Sequence, residues 1–277
     1  LHQHKNLPMI ESLNSPHIAR VKALISSRGV KERKNSGLFI AEGLQCAKEA
    51  LSTVPSKNGF KAPAVETLFL TRNGRAKLEQ VQDIHLDSAI NIIDVSDEVM
   101  KEMSETITPQ GVLAVCSIPK NEFSSMKLDG NRRYIYLSEI QDPGNAGTIL
   151  RSADAFGMDG VITSPGSVDM FSPKVVRSTA GSLWHLPVFE SIELSDVVKQ
   201  GVQAISLGAE GKKPLSDFEP TGDVVAIFGN EARGLSSIDS INGVEIVNIP
   251  MPGDAESLNL SAAATIVMYH FSLLQAK

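Results

Sequence analysis

The sequence predicts an α/β protein of two domains. Short apolar runs suited to buried strands alternate with helical patterns, a polar stretch at residues 119–131 interrupts the alternation, and near the C-terminus two strands run directly into glycine-bearing polar turns. Strands alternating with helices imply a parallel sheet covered on both faces. With 277 residues, 42% hydrophobic and 21% charged, the chain has the length and composition for two ordinary cores.

In the first domain, Ser15 and Pro16 open a helix as its cap and first residue, with Ile18, Val21, Leu24 and Ile25 on one face and an end near Gly29. A basic loop follows. Residues 37–43 then read as a strand, 44–51 as a helix, and 65–70 and 90–95 as strands. Ser96 caps the next helix, with Asp97 and Glu98 placed to favour its N-terminal dipole. Residues 111–118 give the last strand of a small α/β domain covering 1 to about 120. Residues 119–131, polar with Pro, Asn, Ser, Asp and Gly, read as a linker.

The second domain, 132–277, repeats the alternation. Residues 133–138 form a strand, 145–157 a helix, 160–163 a strand, and 172–182 a helix begun by Ser172 and Pro173. Residues 195–200 are helical; 204–207, 224–228 and 244–249 are strands; 259–274 is the terminal helix. That helix carries Leu260, Ala264, Val267 and Phe271 on one stripe, with Ala262 and Ala263 beside it. Alanines permit close packing, against the sheet or against a second subunit.

Bulk features bound the function. Cys46 and Cys116 are far apart, each within an apolar pattern, so reduced core cysteines in a cytosolic protein are expected rather than a disulfide or a zinc cluster. His2 and His4 warrant no metal assignment. There is no run of about eighteen apolar residues and no apolar secretory segment at the start, so neither membrane insertion nor export is expected. The net charge of −6 averages over surfaces with different roles. Arg20, Lys22, Arg28, Lys31, Arg33 and Lys34 cluster against one acid, Glu32. Charge alone fits either a solvated helix face or a polyanion site.

Three segments carry chemistry. In 139–157 a strand ends at Glu139, Asp142-Pro143-Gly144 turns the chain, and Asn145 opens a helix bearing Arg151. In 227–235 a strand enters Gly229-Asn230-Glu231, and in 249–261 another enters a turn through Gly253, Ser257, Leu258 and Asn259. Taken singly, Asn145 reads as a helix cap, Arg151 as a surface residue and the glycines as turn residues. Together and in this order the segments resemble the three motifs of the SpoU (TrmH) branch of the SPOUT RNA methyltransferases, across the whole second domain. Residues 174–183 resemble the helix between the family's first two motifs, while 39–43 and 109–112 resemble its ribosomal-protein-like substrate-binding domain.

The resemblance implies a parallel-sheet SPOUT domain with a C-terminal trefoil knot, acting as a cytoplasmic homodimer. It implies transfer of a methyl group from S-adenosylmethionine to a ribose 2′-hydroxyl of structured RNA, more in keeping with rRNA than tRNA, and no metal. Backbone around Leu207, Gly208, Gly229, Ile249 and Leu258 would hold the cofactor, the two glycines letting main chain come close. Arg151 would act on the 2′-hydroxyl, with Asn145 and Asn259 orienting ribose and arginine, Ser257 supporting the same network and Glu231 positioning Arg151 or loop backbone. Arg20, Lys22, Arg28, Lys31, Arg33 and Lys34 would meet RNA phosphates. The competing reading is an RNA-binding protein that keeps the cofactor fold without turnover. A dinucleotide-dependent oxidoreductase is disfavoured, because no Gly-x-Gly-x-x-Gly follows a strand.

Overall fold

A computed structural model describes residues 9–52, 60–84, 86–229 and 243–275. The chain divides into two compact units, one running up to Lys120 and taking in Asp169–His185, the other comprising Asn121–Val168 and the residues from Leu186 onward.

The first unit is built on a four-stranded sheet in the order β1-β4-β2-β3, from β1 (Leu38–Glu42), β2 (Val65–Leu70), β3 (Asn91–Asp94) and β4 (Val112–Ser117). β4 runs antiparallel to both β1 and β2, and β3 runs parallel to β2. Helix α1 (Pro16–Ile25), capped by Ser15, buries Ile18, Val21 and Leu24 in a core with Phe69, Ile93, Leu113 and Val115. The predicted basic loop is instead helix α2 (Gly29–Ser36). Its sequence has no apolar stripe, and the turn is held from outside: Arg33 donates to the Leu24 carbonyl at the end of α1. Helix α3 (Leu44–Leu51) falls where expected, and α4 (Arg72–Glu79) is an addition, capped by Thr71. The cap expected at Ser96 holds for α5 (Asp97–Met103), its hydroxyl accepting from Val99 N at 3.2 Å.

Segment 169–185 completes this unit. Phe39, fully buried in β1, meets Phe171 and Trp184 at ring-centroid distances of 5.2 and 5.9 Å, and Trp184 Nε1 donates to the Pro63 carbonyl at 3.1 Å. The helix expected over 172–182 is shorter, α7 (Pro173–Ser178). Left-handed backbone at Ala180 and Gly181 ends it, and a 3-10 turn at Ser182–Trp184 follows. Cys46 and Cys116 are both free and buried, and burial pushes the Cys46 thiol up to about 11, out of the reactive thiolate range.

The second unit carries a seven-stranded sheet of β5 (Arg133–Ser138), β6 (Gly160–Thr163), β7 (Val188–Phe189), β8 (Gln203–Leu207), β9 (Lys213–Pro214), β10 (Val224–Gly229) and β11 (Val244–Asn248). The order is β7-β6-β5-β10-β8-β11-β9, and every pairing is parallel. β5 and β10 are buried throughout, which is why both read as unbroken apolar runs. The α-helices among the described residues are α6 (Pro143–Ala155), α8 (Leu194–Val198) and α9 (Leu260–Gln275). Ala264, Val267 and Phe271 of α9 have no exposed surface, and Ser152 of α6 is hydrogen-bonded to Thr265 of α9 at 2.8 Å. Part of the stretch read as a linker is anchored here: Phe123, Met126 and Leu128 pack on the core, and Tyr134 donates to the Lys127 carbonyl at 2.9 Å.

Candidate active site

The strand order places β5 beside β10, with β6 on one side and β8 on the other. Such a reversal opens a crevice at the carboxyl edge of a parallel sheet, where α/β proteins bind ligands. Ser138 pairs with Gly229 and Leu207 with Val247, so the ends of β5, β10, β8 and β11 lie along one edge. Among the described residues, two clefts open there and share Ser257 and Leu258 in their walls.

The first cleft, 330 Å³, is lined by four of the five residues expected to hold a cofactor, Leu207, Gly208, Ile249 and Leu258. Gly229 lines the second cleft instead. Gly208 N donates to the Val247 carbonyl at 3.0 Å, tying the turn after β8 to β11. The glycine that close approach demands is Gly211, which the sequence pattern does not single out: a Cβ there would lie 2.6 Å from Val247 C and 2.8 Å from Asn248 N. Asn248 also donates its side-chain amide to the Gly211 carbonyl. Met251, likewise unforeseen, adds to an apolar wall with Leu207, Ile249 and Leu258.

The second cleft, 410 Å³, is lined by Asn145, Ser257 and Asn259 together with Ile140, Asp142 and Gly229. Asn145 is not a cap. Helix α6 begins two residues earlier, and Asp142 caps it by accepting from Asn145 N at 2.6 Å. Asn259 does cap its helix, α9: its Oδ1 accepts from Ser261 N at 2.9 Å and from the Ser261 hydroxyl at 2.6 Å. With that oxygen fixed, Asn259 Nδ2 turns outward and donates to Asn145 Oδ1 at 3.4 Å. The Asn145 amide nitrogen is thereby left as a donor at the cleft.

Loop 139–142 is pinned as well as shaped. Glu139 has a left-handed φ of 47° and its N–H donates to Ser164 Oγ at 2.7 Å. Gln141 Nε2 bridges the Glu139 and Gly166 carbonyls at 3.1 and 2.8 Å. A strained backbone held by several bonds is the form in which binding loops are kept. Arg151 is exposed on α6 and lies outside the lining of both clefts. It follows Asn145 and exposed Thr148 in steps of three along one helix ridge, about 9 Å further along the axis. Glu231 lies outside the described residues.

The six basic residues divide. Arg33 is 3% exposed and its Nε is bonded to Asp169 at 2.7 Å, so it is not available to an external phosphate and leaves the RNA-contacting set. Arg20 and Lys22 are exposed but paired with Glu66 and Glu102. Arg28, Lys31 and Lys34 are exposed on and beside α2.

These features define an α/β protein with a ligand crevice at the switch point of a parallel sheet, and likeness to known proteins specifies the class. Residues 132–269 match the SpoU rRNA methylase family, and 16–114 match an MRM3-like substrate-binding domain. The 23S rRNA (guanosine(2553)-2'-O)-methyltransferase RlmP of Bacillus subtilis is 29% identical over 95% of this chain and 99% of its own length. An uncharacterized tRNA/rRNA methyltransferase of Synechocystis is 30% identical over 94% of this chain and 93% of its own. The crystal structure of an AdoMet-bound rRNA methyltransferase from Sinorhizobium meliloti superimposes with a TM-score of 0.78 and 26% identity, covering 95% of this chain and 96% of that one. The chain belongs to the SpoU rRNA methylase family.

Proposed function

We infer that this protein transfers a methyl group from S-adenosylmethionine to a ribose 2′-hydroxyl of ribosomal RNA. The observation that carries the reading is the pair of adjoining clefts, one with an apolar wall and one lined by the Asn145–Asn259 pair, meeting at Ser257 and Leu258. The cofactor fits the first: its volume of 330 Å³ lies at the compact end of small-molecule sites, the wall of Leu207, Ile249, Met251 and Leu258 suits an adenine face, and the turn at Gly208–Gly211 brings backbone groups to the edge. When bound, S-adenosylmethionine supplies an already activated methyl group, so the protein's task is alignment for in-line displacement and help in removing the hydroxyl proton.

Asn145 and Ser257 orient the ribose in the second cleft. Arg151 holds a phosphate of the target nucleotide and stabilises charge developing on the 2′-oxygen; a guanidinium stays protonated and is therefore a poor base. Glu231 is assigned the positioning of Arg151 or of loop backbone, from the family motif. The first unit binds substrate RNA, in keeping with the domain model it matches. Rigid convergence of the loops is ascribed to the trefoil knot of the family, and the protein is assigned to the cytoplasm. The direct test supplies isotopically labelled cofactor with protein-free ribosomal RNA or tRNA and maps the product. Label on ribose 2′-oxygens of rRNA is expected; label confined to tRNA, or none, would overturn the reading.

RNA affinity depends on Arg28, Lys31 and Lys34. Reversing all three to glutamate is expected to reduce the slope of log K against log salt for rRNA binding by about one for each phosphate no longer neutralised, with cofactor affinity intact. An unchanged salt slope would remove these residues from the interface.

The protein acts as a homodimer through α9. Ile266, Tyr269 and Leu273 are exposed at helical spacing on that helix, a stripe that a second copy would cover. The double substitution Ile266→Glu, Leu273→Glu is expected to give a monomer in sedimentation equilibrium, and an undisturbed dimer would place the interface elsewhere.

A further inference from the structure

The first unit contains a cleft of 620 Å³, remote in sequence from the methyl-transfer motifs, with Leu44 and Val81 in its wall beside Gln45 and Lys48 of α3, Gln82 and Asp83 after α4, and Gln110. Hydrogen bonds at its rim fix what it presents. Gln110 Oε1 accepts from Leu44 N at 2.8 Å, which leaves the Gln110 amide nitrogen as a donor. Gln45 Nε2 donates to Glu49 Oε1 at 2.7 Å, which leaves the Gln45 oxygen as an acceptor. Asp83 adds a carboxylate and Lys48 an ammonium group.

The loop that supplies Gln110 is braced from within. Glu42, 7% exposed, accepts from Glu105 N at 3.3 Å and from the Thr106 hydroxyl, while Arg177 joins Glu42 and Glu105 at 3.5 and 3.1 Å. At the tip of that loop Ile107 is 90% exposed, an aliphatic surface held out to solvent by a fixed scaffold.

We propose that this cleft receives an unpaired guanine of the substrate RNA. Sequence-specific RNA recognition reads unstacked bases on their edges, and only a base edge complementary to the cleft avoids leaving buried polar groups unmatched. Guanine offers two adjacent N–H donors, N1 and N2, to the Asp83 carboxylate, and its O6 accepts from the Gln110 amide. Adenine and cytosine would set a ring-nitrogen lone pair against the carboxylate. Uracil has one N–H there, flanked by two carbonyl oxygens that oppose the acid. Lys48 supplies a cation from the cleft wall for the accompanying phosphate, and Ile107, three residues before Gln110 in the chain, offers an exposed apolar surface to a neighbouring base.

The proposal rests on the reading of this chain as an RNA methyltransferase, and its test separates the two. Side-chain amide resonances of Gln45, Gln82 and Gln110 are followed in the full chain during titration with GMP, IMP, AMP, CMP and UMP. Saturable shifts with GMP are expected, with at least fivefold weaker affinity for IMP, which lacks the N2 amino group, and for the other three. No shift with any nucleotide would overturn the site, and equal shifts with all would overturn the assignment to guanine. In parallel, Asp83→Asn keeps a residue that tolerates the left-handed φ of 62° at that position. It is expected to weaken binding to protein-free rRNA about tenfold, with cofactor affinity within twofold. Removing a negative charge would by itself strengthen RNA binding, so unchanged or tighter binding would overturn the proposal. Failure of the wild-type chain to methylate rRNA would instead count against the functional reading, while the GMP titration would still report on the cleft.

Discussion

Arg151→Ala is expected to lower kcat for rRNA methylation at least a hundredfold while leaving S-adenosylmethionine affinity within a factor of two. The separation follows from position. Arg151 is exposed on α6 and absent from the lining of the cofactor cleft, but it continues the ridge that brings Asn145 to the neighbouring cleft. On the proposed reading, a cation there is offered to the RNA rather than to the methyl donor. Removing one preorganised group that stabilises developing oxyanion charge costs about 2.7–4 kcal/mol in comparable sites, which sets the size of the effect. Arg151→Lys tests the manner of action. Lysine keeps the charge but loses the planar fork that binds phosphate through two parallel hydrogen bonds, so a loss of tenfold or more is expected. Steady-state rates at saturating cofactor and RNA give both losses in kcat, and a cofactor titration gives the affinity. Near-normal turnover of the lysine variant would reduce Arg151 to a point charge and defeat the bidentate role.

How much of the fold and site is readable in the sequence depends on whether the cause is local. Strands β2, β5 and β6 and helix α3 coincide with their sequence-predicted spans, because burial on both faces or on one helical stripe writes itself into neighbouring residues. Helix α4, with the sequence RNGRAKLE, offers no such stripe and escapes a reading by pattern. Helix α2 reads as a loop for the same reason. At the start of α6 two residues could each cap, and Pro143, suited to the first helical position, is the signal that favours Asp142 over Asn145. That difference matters for chemistry, because it frees the Asn145 carboxamide to pair with Asn259. Gly229 of the second motif and the residues of the third meet the first only in three dimensions, and family resemblance carries that part of the reading. The least legible feature is segment 169–185. Its helix is visible, but its partners Arg33, Glu42 and Phe39 lie more than 130 residues earlier, and no local pattern announces them.

Arg33 shows what that illegibility conceals, and Arg33→Ala is expected to destabilise the first unit by about 3–5 kcal/mol, the cost of stranding one partner of a buried ion pair. The guanidinium bonds at two points: Nε to Asp169 at 2.7 Å and Nη1 to the Leu24 carbonyl at the end of α1. It therefore fastens α2, the end of α1 and the start of segment 169–185 together. Gly29 makes room for it, since a Cβ there would lie 2.5 Å from Arg33 Nη1 and 2.6 Å from the Leu24 oxygen. Alanine at position 33 would leave Asp169, whose side chain is 11% exposed, without its counter-charge and the Leu24 carbonyl without its donor. Arg33→Lys restores charge but not the two-point geometry and is expected to recover less than half of the loss. Denaturant midpoints for the two variants give the comparison, with rRNA affinity measured under conditions where both are folded. A phosphate ligand behaves in the opposite way: its removal weakens RNA binding and spares stability. Wild-type stability with weakened RNA binding in Arg33→Ala would return Arg33 to the RNA-contacting set, whereas lost stability with near-normal affinity of the folded protein is the result expected of a buried clasp.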